Sequence, residues 1–386
     1  MTAPKLRFKE FDDSWDLKKL DQIAEVNPKT KELPASFFYI DLESVSEGLL
    51  IQRKKIDINE APSRAQRLLE KSDVLFQMVR PYQQNNFYFD LDGDYVASTG
   101  YAQIRTKLNS KYIYYVLHSK KFLDEVINRC TGTSYPAINS SELSSIEVAF
   151  PSIREQTKIA SFLSAVDEKI SQLTQKHALL SQYKQGMMQK LFSQQIRFKA
   201  DDGSEFGEWD INIIRDVFTN KSKNFNPQNE GNLPCIELEH LSQNTGKILG
   251  TIESCEQQST KNLFEKNSVL FGKLRPYLRK FAKPKFKGVC SSEIWVLTGI
   301  KVSNDYLFQY IQSEQFSELT NIQSGSKMPR ADWGVISEAE IEYPCLAEQT
   351  KISNFLSAID QKIEVVAQQI EQAKQWKKGL LQQLFV

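Results

Sequence analysis

The feature that most constrains this chain is an internal duplication. Residues 155–192 recur at 348–385 with a constant offset of 193. Over the first sixteen positions, EQTKIASFLSAVDEKI against EQTKISNFLSAIDQKI, twelve residues are identical. A repeat of this length in a chain of 386 residues indicates two copies of one structural unit. We therefore expect a function that is carried out twice, at two places in the molecule.

The correspondence extends over both halves of the chain, with small changes of offset that indicate insertions in loops. We predict two globular modules of about 150 residues, each followed by one long helix. The predicted boundaries are 1–151 and 193–344 for the modules, and 152–192 and 345–386 for the helices. The matching segments are Arg7-Phe8-Lys9 and Arg197-Phe198-Lys199, Trp15-Asp16 and Trp209-Asp210, EKSDVLFQMVRPY (70–82) and EKNSVLFGKLRPY (265–277), and YIYYVLHSKKF (112–122) and YLFQYIQSEQF (306–316).

Each module is predicted to mix short strands with helices. Residues 73–79 and 268–274 are apolar, rich in β-prone residues and followed by Arg-Pro-Tyr, which predicts a buried strand that ends at a turn. Two segments are predicted as later strands and two have helical spacing. The later strands are 96–106 and 289–298, and the helical segments are 112–128 and 306–319.

A heptad pattern predicts the long helices. Apolar residues recur at alternating spacings of four and three over more than four heptads in each copy, which is typical of a coiled coil. Ser152 and Glu155 are expected to form a capping box, whereas Cys345 replaces the serine in the second copy. An amphipathic helix packed on its own domain is the alternative. The predicted seam is Ile159, Leu163, Val166, Ile170, Leu173, His177, Leu180, Lys184, Met187 and Leu191, and Ile352, Leu356, Ile359, Ile363, Val366, Ile370, Ala373, Lys377, Leu380 and Leu384.

Connectivity predicts how paired helices would be oriented. The first helix must deliver the chain to the second module, so two paired helices would run antiparallel with the modules at opposite ends. The segment from Ile159 to Leu191 is on the order of 48 Å long at about 1.5 Å per residue. DNA half-sites one duplex turn apart are separated by roughly 34 to 36 Å, which such a spacer could set. The predicted fold class is α+β, with two globular domains joined by two long antiparallel coiled-coil helices in a pseudo-twofold repeat.

Composition excludes several classes of protein. No stretch approaches the roughly 20 apolar residues of a membrane span, and the N-terminus lacks the apolar core of a signal peptide, so we expect a cytoplasmic protein without a membrane partner. Five widely spaced cysteines and three histidines support neither a disulfide framework nor a zinc site. The net charge is only +1, so any binding of nucleic acid would depend on local patches.

One such patch follows the Arg-Pro-Tyr of the second module. Residues 271–287 contain seven basic residues, no acid and interleaved aromatic residues. Lysine and arginine can bind phosphates, and arginine can also read guanine edges. A solvated basic hairpin is the alternative interpretation. The candidate DNA contacts here are Lys273, Arg275, Tyr277, Arg279 and Lys280.

The first module has amides where the second has charges. Gln83, Gln84, Asn85 and Asn86 suit adenine, although an Asn/Gln turn is the structural alternative. A second loop, TGTSYPAIN (131–139), matches SGSKMPRAD (324–332), and its small residues would allow close approach to phosphates or bases. A plain turn before the last strand is the alternative there. The remaining candidate contacts are Arg80, Tyr82, Thr133, Ser134, Tyr135, Asn139, Ser326, Lys327 and Arg330.

These motifs together resemble the specificity subunit of type I restriction-modification systems. The resemblance covers essentially the whole chain and rests on E-Q-x-K-I-x-x-F-L-x-x-x-D-x-K-I at 155–170 and 348–363, on the V-L-F…R-P-Y strands and on the Gly-Thr-Ser loop. It implies a subunit without catalysis of its own that binds a split sequence in double-stranded DNA through two target recognition domains. It also implies two adenine-methyltransferase subunits and restriction subunits with ATP-driven translocation as partners. This chain would hold no cofactor, and its partners would bind S-adenosylmethionine, ATP and Mg²⁺.

The residues agree with the absence of catalysis. Asn27-Pro28 and Asn226-Pro227 lack the aromatic residue that an adenine methyltransferase stacks on a flipped base, and there is no G-x-x-x-x-G-K-[ST] phosphate loop. The alternatives are a protein-interaction spacer and an enzyme with a hidden site. Polar residues repeated on both helices are predicted to be an exposed partner surface, with simple solvation as the alternative: Glu155, Gln156, Lys158, Asp167 and Lys169, and Glu348, Gln349, Lys351, Asp360 and Lys362.

Overall fold

The chain folds into two compact units. The computed structural model describes residues 4–30, 32–321 and 328–385. Unit 1 comprises Met1–Gln175 together with Ala367–Val386, and unit 2 comprises Lys176–Val366. Two long helices, α5 (Ile153–Phe192) and α10 (Leu346–Gln383), each contribute one half to each unit. The mixture of sheets and helices confirms the predicted α+β class.

The rest of unit 1 consists of short strands and short helices. Its strands are β1 (Asp16–Lys19), β2 (Glu25–Val26), β3 (Ser36–Ile40), β4 (Val45–Ser46), β5 (Leu49–Leu50), β6 (Lys54–Asp57), β7 (Ala65–Leu68), β8 (Val74–Gln77), β9 (Phe87–Tyr88), β10 (Tyr95–Ser98), β11 (Tyr101–Arg105) and β12 (Glu147–Phe150). Its short helices are α1 (Leu20–Ile23), α2 (Ser110–Leu117), α3 (Lys120–Asn128) and α4 (Ser140–Ser144). Two sheets have the orders β6-β3-β10-β7 and β2-β11-β8-β9, and β1 pairs with β12 directly before α5.

Unit 2 has a similar topology, in which one of the two main sheets has five strands instead of four. Its strands are β13 (Asp210–Ile213), β14 (Phe218–Thr219), β15 (Asn224–Phe225), β16 (Pro234–Ile236), β17 (Ile252–Glu253), β18 (Lys261–Phe264), β19 (Val269–Gly272), β20 (Phe281–Ala282), β21 (Gly288–Cys290), β22 (Ile294–Gly299) and β23 (Glu340–Tyr343). Its short helices are α6 (Ile214–Val217), α7 (Asn304–Tyr310), α8 (Glu314–Thr320) and α9 (Trp333–Ile336). The sheet orders are β14-β22-β19-β20 and β15-β18-β21-β16-β17, with β13 paired to β23. In both units one parallel pair, β3 with β10 and β16 with β21, lies inside the sheet that does not contain β8 or β19.

The strands before Arg-Pro-Tyr are central to each unit. β8 and β19 are buried at all four positions, as their largely apolar sequences predict. In unit 1, Phe76 packs edge-on against Phe122 with ring centroids 5.8 Å apart, and in unit 2 Phe271 packs edge-on against Phe316 at 5.2 Å. The apolar strand thus fixes the starting point of the turn that follows it.

The helical spacing of 112–128 and 306–319 is confirmed, but each segment forms two helices. Ser119 Oγ accepts a hydrogen bond from the Phe122 N–H at 3.3 Å, and Ser313 Oγ accepts one from the Phe316 N–H at 3.3 Å. A serine that satisfies a free N–H group at this position begins a new helix. The two caps therefore separate α2 from α3 and α7 from α8.

The two long helices predicted from the heptad pattern are confirmed as helices. None of the predicted seam residues is exposed, so the apolar stripe is the inward face of each helix. Ser152 Oγ accepts a hydrogen bond from the Glu155 N–H at 3.5 Å, which is the serine half of the predicted capping box. The carboxylate of Glu155 does not complete the box, because Arg7 binds it with two hydrogen bonds of 2.8 Å.

Within each unit, segments of the two long helices lie side by side and antiparallel. In unit 1, the Leu6 N–H donates to the Gln383 carbonyl at the end of α10, and the next residue, Arg7, binds Glu155 in the first turn of α5. In unit 2, Lys184 near the end of α5 pairs with Asp360 in the first half of α10 at 2.6 Å. The end of one helix is therefore beside the beginning of the other.

Candidate nucleic-acid interface

Both Arg-Pro-Tyr motifs form the same strained turn. Arg80 and Arg275 have φ angles of 53° and 52°, in the left-handed region that costs a residue with a side chain about 1 to 2 kcal/mol. The Arg80 N–H donates to the Pro136 carbonyl at 2.8 Å, and the Arg275 N–H donates to the Pro329 carbonyl at 2.7 Å. These hydrogen bonds hold the turn against the second candidate loop in each unit. The two candidate loops of each unit are therefore neighbours.

In unit 1 the exposed part of this surface is aromatic with one cation. The Arg80 guanidinium carbon lies 4.3 Å from the centroid of the Tyr135 ring. Tyr82 and Tyr135 are 53% and 62% exposed, and Thr133 and Ser134 beside them are also exposed. Exposed aromatic rings stack on bases, and an arginine held over a ring keeps its donor edge available. These five predicted residues lie on the turn and on the loop that is hydrogen-bonded to it.

Asn86, which was predicted to contact DNA, is part of the fold instead. Its side chain is fully buried, and its Oδ1 accepts a hydrogen bond from the Gln77 N–H at 2.9 Å. Its Nδ2 lies 3.5 Å from Nε2 of His118, and burial lowers the pKa of that imidazole to about 4. A neutral His118 can accept a hydrogen bond from the amide. The prediction that Asn86 reads a base is therefore wrong.

The neighbouring amides are also engaged within unit 1. Asn85 Oδ1 accepts a hydrogen bond from the Glu47 N–H at 3.1 Å, and Gln84 Nε2 donates to the His118 carbonyl at 3.4 Å. Gln83 is exposed, although its Oε1 accepts a hydrogen bond from Gln77 Nε2 at 2.9 Å. The Asn/Gln turn, which was the structural alternative, accounts for Gln84 and Asn85, and Gln83 is the amide left on the surface.

Asn139 is a helix cap. Its Oδ1 accepts a hydrogen bond from the Glu142 N–H at 2.8 Å at the start of α4. The matching residue of unit 2, Asp332, accepts one from the Gly334 N–H at 2.8 Å at the start of α9. Asn and Asp are strong N-cap residues, so Asn139 has a structural role, but it is exposed and its DNA contact stays a prediction. Ser326 and Lys327 lie outside the described residues.

In unit 2 this surface carries two cations without a partner among the described residues. Arg275 is exposed and Lys273 is half-buried, and neither side chain has an ion pair or hydrogen bond with another described residue. Tyr277 is 54% exposed beside them. Arg330 is half-exposed and pairs with Glu293 at 3.1 Å. This group occupies the place that Arg80, Tyr82 and Tyr135 occupy in unit 1.

Two of the predicted basic contacts are bound within unit 2. Arg279 donates to the backbone carbonyl of Gln312, and burial lowers the pKa of its guanidinium. Lys280 Nζ donates to the Leu238 carbonyl at 2.6 Å. Both side chains serve the fold, so neither Arg279 nor Lys280 is a free DNA contact. The sequence cannot distinguish them from Lys273 and Arg275, because the same residue types alternate along one short segment.

The predicted partner surface needs a larger correction. Glu155 and Glu348 are buried. Each carboxylate accepts two hydrogen bonds from an arginine of its own unit, Arg7 in unit 1 and Arg197 in unit 2. The Arg197 bonds measure 3.0 and 2.6 Å. Bidentate pairing compensates the desolvation of a buried carboxylate. The arginines belong to the repeated Arg-Phe-Lys motif, which is the signal by which their structural role could have been found.

Gln156 and Gln349 are buried as well. Gln156 Nε2 donates to the Pro151 carbonyl at 2.8 Å, and Gln349 Nε2 donates to the Pro344 carbonyl at 2.8 Å. In unit 2, the Ser303 N–H also donates to Gln349 Oε1 at 2.9 Å. These amides join the start of each long helix to its own domain. The prediction that Glu155, Gln156, Glu348 and Gln349 are exposed for a partner is wrong.

The other predicted partner residues remain partly or fully accessible. Asp167 and Asp360 are half-buried and pair with Lys377 and Lys184 at 2.6 Å. Lys158 pairs with Glu10 at 3.3 Å, and Lys351 pairs with Asp201 at 2.6 Å. Lys169 and Lys362 are exposed. The repeat of polar residues thus has a buried structural part at the helix start and an exposed part further along.

Comparison with known proteins places the duplication in a family. The type I restriction modification DNA specificity domain matches residues 12–182 and 207–375. The chain is 24% identical over 388 residues to the type I restriction enzyme MjaVIII specificity subunit of Methanocaldococcus jannaschii, covering 91% of this chain and 85% of that protein. It is 24% identical over 296 residues to the EcoDI specificity subunit of Escherichia coli, covering 69% of this chain and 66% of that protein.

Two solved structures share the fold. One belongs to a study of complex assembly and conformational transition of the type I R-M system, with a TM-score of 0.59 at 19% identity, covering 96% of this chain and 97% of that one. The other is the S subunit of a type I restriction-modification system from M. genitalium, with a TM-score of 0.59 at 15% identity, covering 100% of this chain and 99% of that one.

The fold and the duplicated loops are those of a protein with two related DNA specificity domains. The chain belongs to the family of type I restriction-modification DNA specificity domains, of which it carries two copies. This confirms the resemblance to specificity subunits that the sequence motifs indicate. Among the described residues, no helix is long and apolar enough to cross a membrane.

Proposed function

We propose that this chain reads an asymmetric, bipartite DNA sequence, one half-site through each unit. The observation that supports this most strongly is the repeated turn and loop, held by the same backbone hydrogen bonds but carrying different side chains. The arginine and tyrosine of Arg-Pro-Tyr are common to both units, but unit 1 has Met78 and Tyr135 at the positions where unit 2 has Lys273 and Met328. One backbone geometry with two sets of side chains suits two different half-sites.

The side chains favour different modes of reading in the two units. Lysine supplies sequence-independent affinity for phosphates, and the fork of Arg275 can bind O6 and N7 of guanine. The exposed rings of Tyr82 and Tyr135 favour stacking or contact with the apolar edges of bases. Gln83 is the exposed amide that can read adenine in this group. Lys273 thus gives unit 2 a phosphate contact that Met78 cannot give unit 1, whereas guanine could be read by Arg80 as well as by Arg275.

The two long helices serve in this proposal as the spacer between the half-sites. The inward placement of every seam residue supports an antiparallel coiled coil of α5 and α10. The proposed division is a target recognition domain at 1–151, a spacer helix at 152–192, a second target recognition domain at 193–344 and a second spacer helix at 345–386. The separation of the half-sites then follows from the length of the helices, at about 1.5 Å per residue.

Catalysis is assigned to partners in this proposal. Two copies of an adenine-methyltransferase subunit would bind the repeated exposed positions on the helices, with Lys169 and Lys362 as matched contacts 193 residues apart. The partner would hold S-adenosylmethionine, and restriction subunits would bind ATP and Mg²⁺. This chain would supply sequence recognition and the scaffold for assembly. A surface that occurs twice is what two identical partners require.

The substitution Arg275→Ala tests the reading role of unit 2. We expect affinity for the cognate duplex to fall by about 1 to 3 kcal/mol, with relaxed sequence preference at one half-site and an unchanged preference at the other. Fluorescence anisotropy on duplexes with single base changes measures both effects. Lys266→Ala is the matched control, since Lys266 is exposed and lies before the other end of the same strand, β19.

Two outcomes would contradict the proposed function. Equal loss of preference at both half-sites would mean that the units do not read separately. Binding without sequence preference or salt dependence would favour the alternative of a protein-interaction spacer, because phosphate contacts make DNA affinity fall steeply with salt. Methylation or cleavage of DNA by the isolated chain would show that the chain has catalysis of its own.

A further inference from the structure

Two lysines in the helix seam have matched aspartate partners. Lys184 of α5 pairs with Asp360 of α10 at 2.6 Å in unit 2, and Lys377 of α10 pairs with Asp167 of α5 at 2.6 Å in unit 1. The two lysines are 193 residues apart in the repeat, and so are the two aspartates. Each helix therefore supplies one lysine and one aspartate to a pair of reciprocal contacts.

Each aspartate is also bound by the recognition domain of its own unit. In unit 1, the Tyr115 hydroxyl of α2 donates to Asp167 Oδ2 at 2.8 Å. In unit 2, Gln309 Nε2 of α7 donates to Asp360 Oδ2 at 3.2 Å. Tyr115 and Gln309 occupy matching positions of the repeat. We call each set of lysine, aspartate and domain residue a clamp, because the three residues join three helices. The clamp of unit 1 is Lys377, Asp167 and Tyr115, and the clamp of unit 2 is Lys184, Asp360 and Gln309.

The lysines are placed where an unpaired charge would be costly. The side chains of Lys184 and Lys377 are only 12% and 23% exposed. Lys184 Nζ donates to Gln312 Oε1 at 2.8 Å as well as to Asp360. Burial lowers the pKa of Lys184, and the charge of Asp360 opposes that effect. A half-buried ammonium group of this kind is tolerated because it has a carboxylate beside it.

The positions of the clamps are compatible with one register only. Lys184 lies opposite Asp360 within unit 2, and Lys377 lies opposite Asp167 within unit 1, so each unit by itself defines the register of its helix segments. A slip of one heptad keeps the apolar stripe in phase but moves both lysines away from the aspartates. Lys184 would then face Ser353 or Ala367, and Lys377 would face Ala160 or Thr174.

We propose that the two clamps are positioning residues that select the register of the helix pair and, through it, the spacing of the two DNA half-sites. A single polar residue in an apolar seam is a known way of fixing register, because each wrong register leaves it without a partner. Because Tyr115 and Gln309 bind the two aspartates, the register of the helices also fixes the position of each recognition domain along its helix. The inference rests on the proposed function, since it concerns the gap between half-sites.

The test uses the full chain with both clamps weakened, Lys184→Met together with Lys377→Met. Methionine keeps an unbranched side chain but removes the charge. The probes are duplexes with the mapped half-sites and a gap that is native, one base pair shorter or one base pair longer. We expect the variant to lose about tenfold or more of the wild-type discrimination between native and altered gaps. Its base preference within each half-site should stay unchanged.

Two further variants make the result specific to the clamps. Lys176→Met with Lys378→Met removes two exposed lysines from the same helices and should keep the wild-type gap preference. Exchange of the charges, with Lys184→Asp, Asp360→Lys, Lys377→Asp and Asp167→Lys together, should restore discrimination to within about threefold of wild type. If the double methionine variant fails to fold, Lys377→Met alone replaces it, because Lys377 is the more exposed of the two lysines.

The outcomes separate this inference from the proposed function. A lower melting temperature with undiminished gap discrimination would overturn the inference, because the clamps would then contribute stability alone. Equal loss in the Lys176/Lys378 control would also overturn it, because charge and not position would be responsible. If the wild-type chain shows no preference for any half-site, the proposed function itself fails and the inference fails with it.

Discussion

At the scale of single residues, the strongest repeated interactions are structural. Arg7 and Arg197 each place a guanidinium on a buried glutamate in the first turn of a long helix. Their side chains also donate to a backbone carbonyl, that of Asp13 in unit 1 and that of Gly207 in unit 2, both at 2.6 Å. The beginning of each module is thereby fastened to the helix that follows it.

Loss of one arginine should destabilise its unit strongly. Arg7→Met leaves the Glu155 carboxylate buried without its bidentate partner, so we expect the free energy of unfolding to fall by about 3 to 5 kcal/mol. Arg7→Met with Glu155→Met should recover most of that loss, because no unpaired charge remains. Urea unfolding followed by circular dichroism measures both. A loss below about 1 kcal/mol for Arg7→Met would contradict this account.

Residue identity alone did not reveal which polar side chains face solvent. Lys273 and Lys280 lie in one basic segment, yet Lys280 binds a backbone carbonyl and Lys273 does not. Asn86 has the amide that reading adenine requires, but its position beside a central strand places it in the core. Such differences depend on distant segments, such as Leu238 and His118, that sequence spacing does not bring together.

At the scale of elements, periodicity was the most reliable guide. The heptad stripe predicts both long helices because its spacings of four and three place an apolar residue on the same face at each turn. The apolar runs before Arg-Pro-Tyr predicted β8 and β19, whose residues are buried on both faces. The separation of α2 from α3 and of α7 from α8 depends on Ser119 and Ser313, and a single capping serine is a weak signal inside a helical pattern.

Shortening both long helices by one heptad tests the spacer. Deletion of 172–178 from α5 and of the matching 365–371 from α10 removes seven residues, or about 10 Å, between the two clamp positions on each helix. Both lysine–aspartate pairs can still form. We expect a shorter gap between unchanged half-sites, measured by selection of preferred duplexes from a randomised pool. A changed half-site sequence would contradict the role of the helices as a spacer.

At the scale of the whole molecule, comparison of the two copies shows a shared scaffold with different side chains around the Arg-Pro-Tyr turn. The two units share the strand order of the sheet that contains β8 or β19, the strained arginine turn, the arginine–glutamate anchor and the lysine–aspartate clamp. They differ in the side chains around the Arg-Pro-Tyr turn, where unit 1 has Met78, Gln83 and Tyr135 and unit 2 has Lys273, Leu278 and Met328. Membership of the specificity-domain family in two copies fits this division. Similar scaffolds with different exposed loops are what two different half-sites require.

The central claim is that the two units read two different half-sites at a fixed separation. Mapping of methylated adenines in genomic DNA, modified by the complex of this chain with its methyltransferase partner, tests that claim most directly. The account predicts one asymmetric motif with two specified parts and an unspecified gap of constant length. A continuous motif, two identical half-sites or methylation without a shared motif would contradict it.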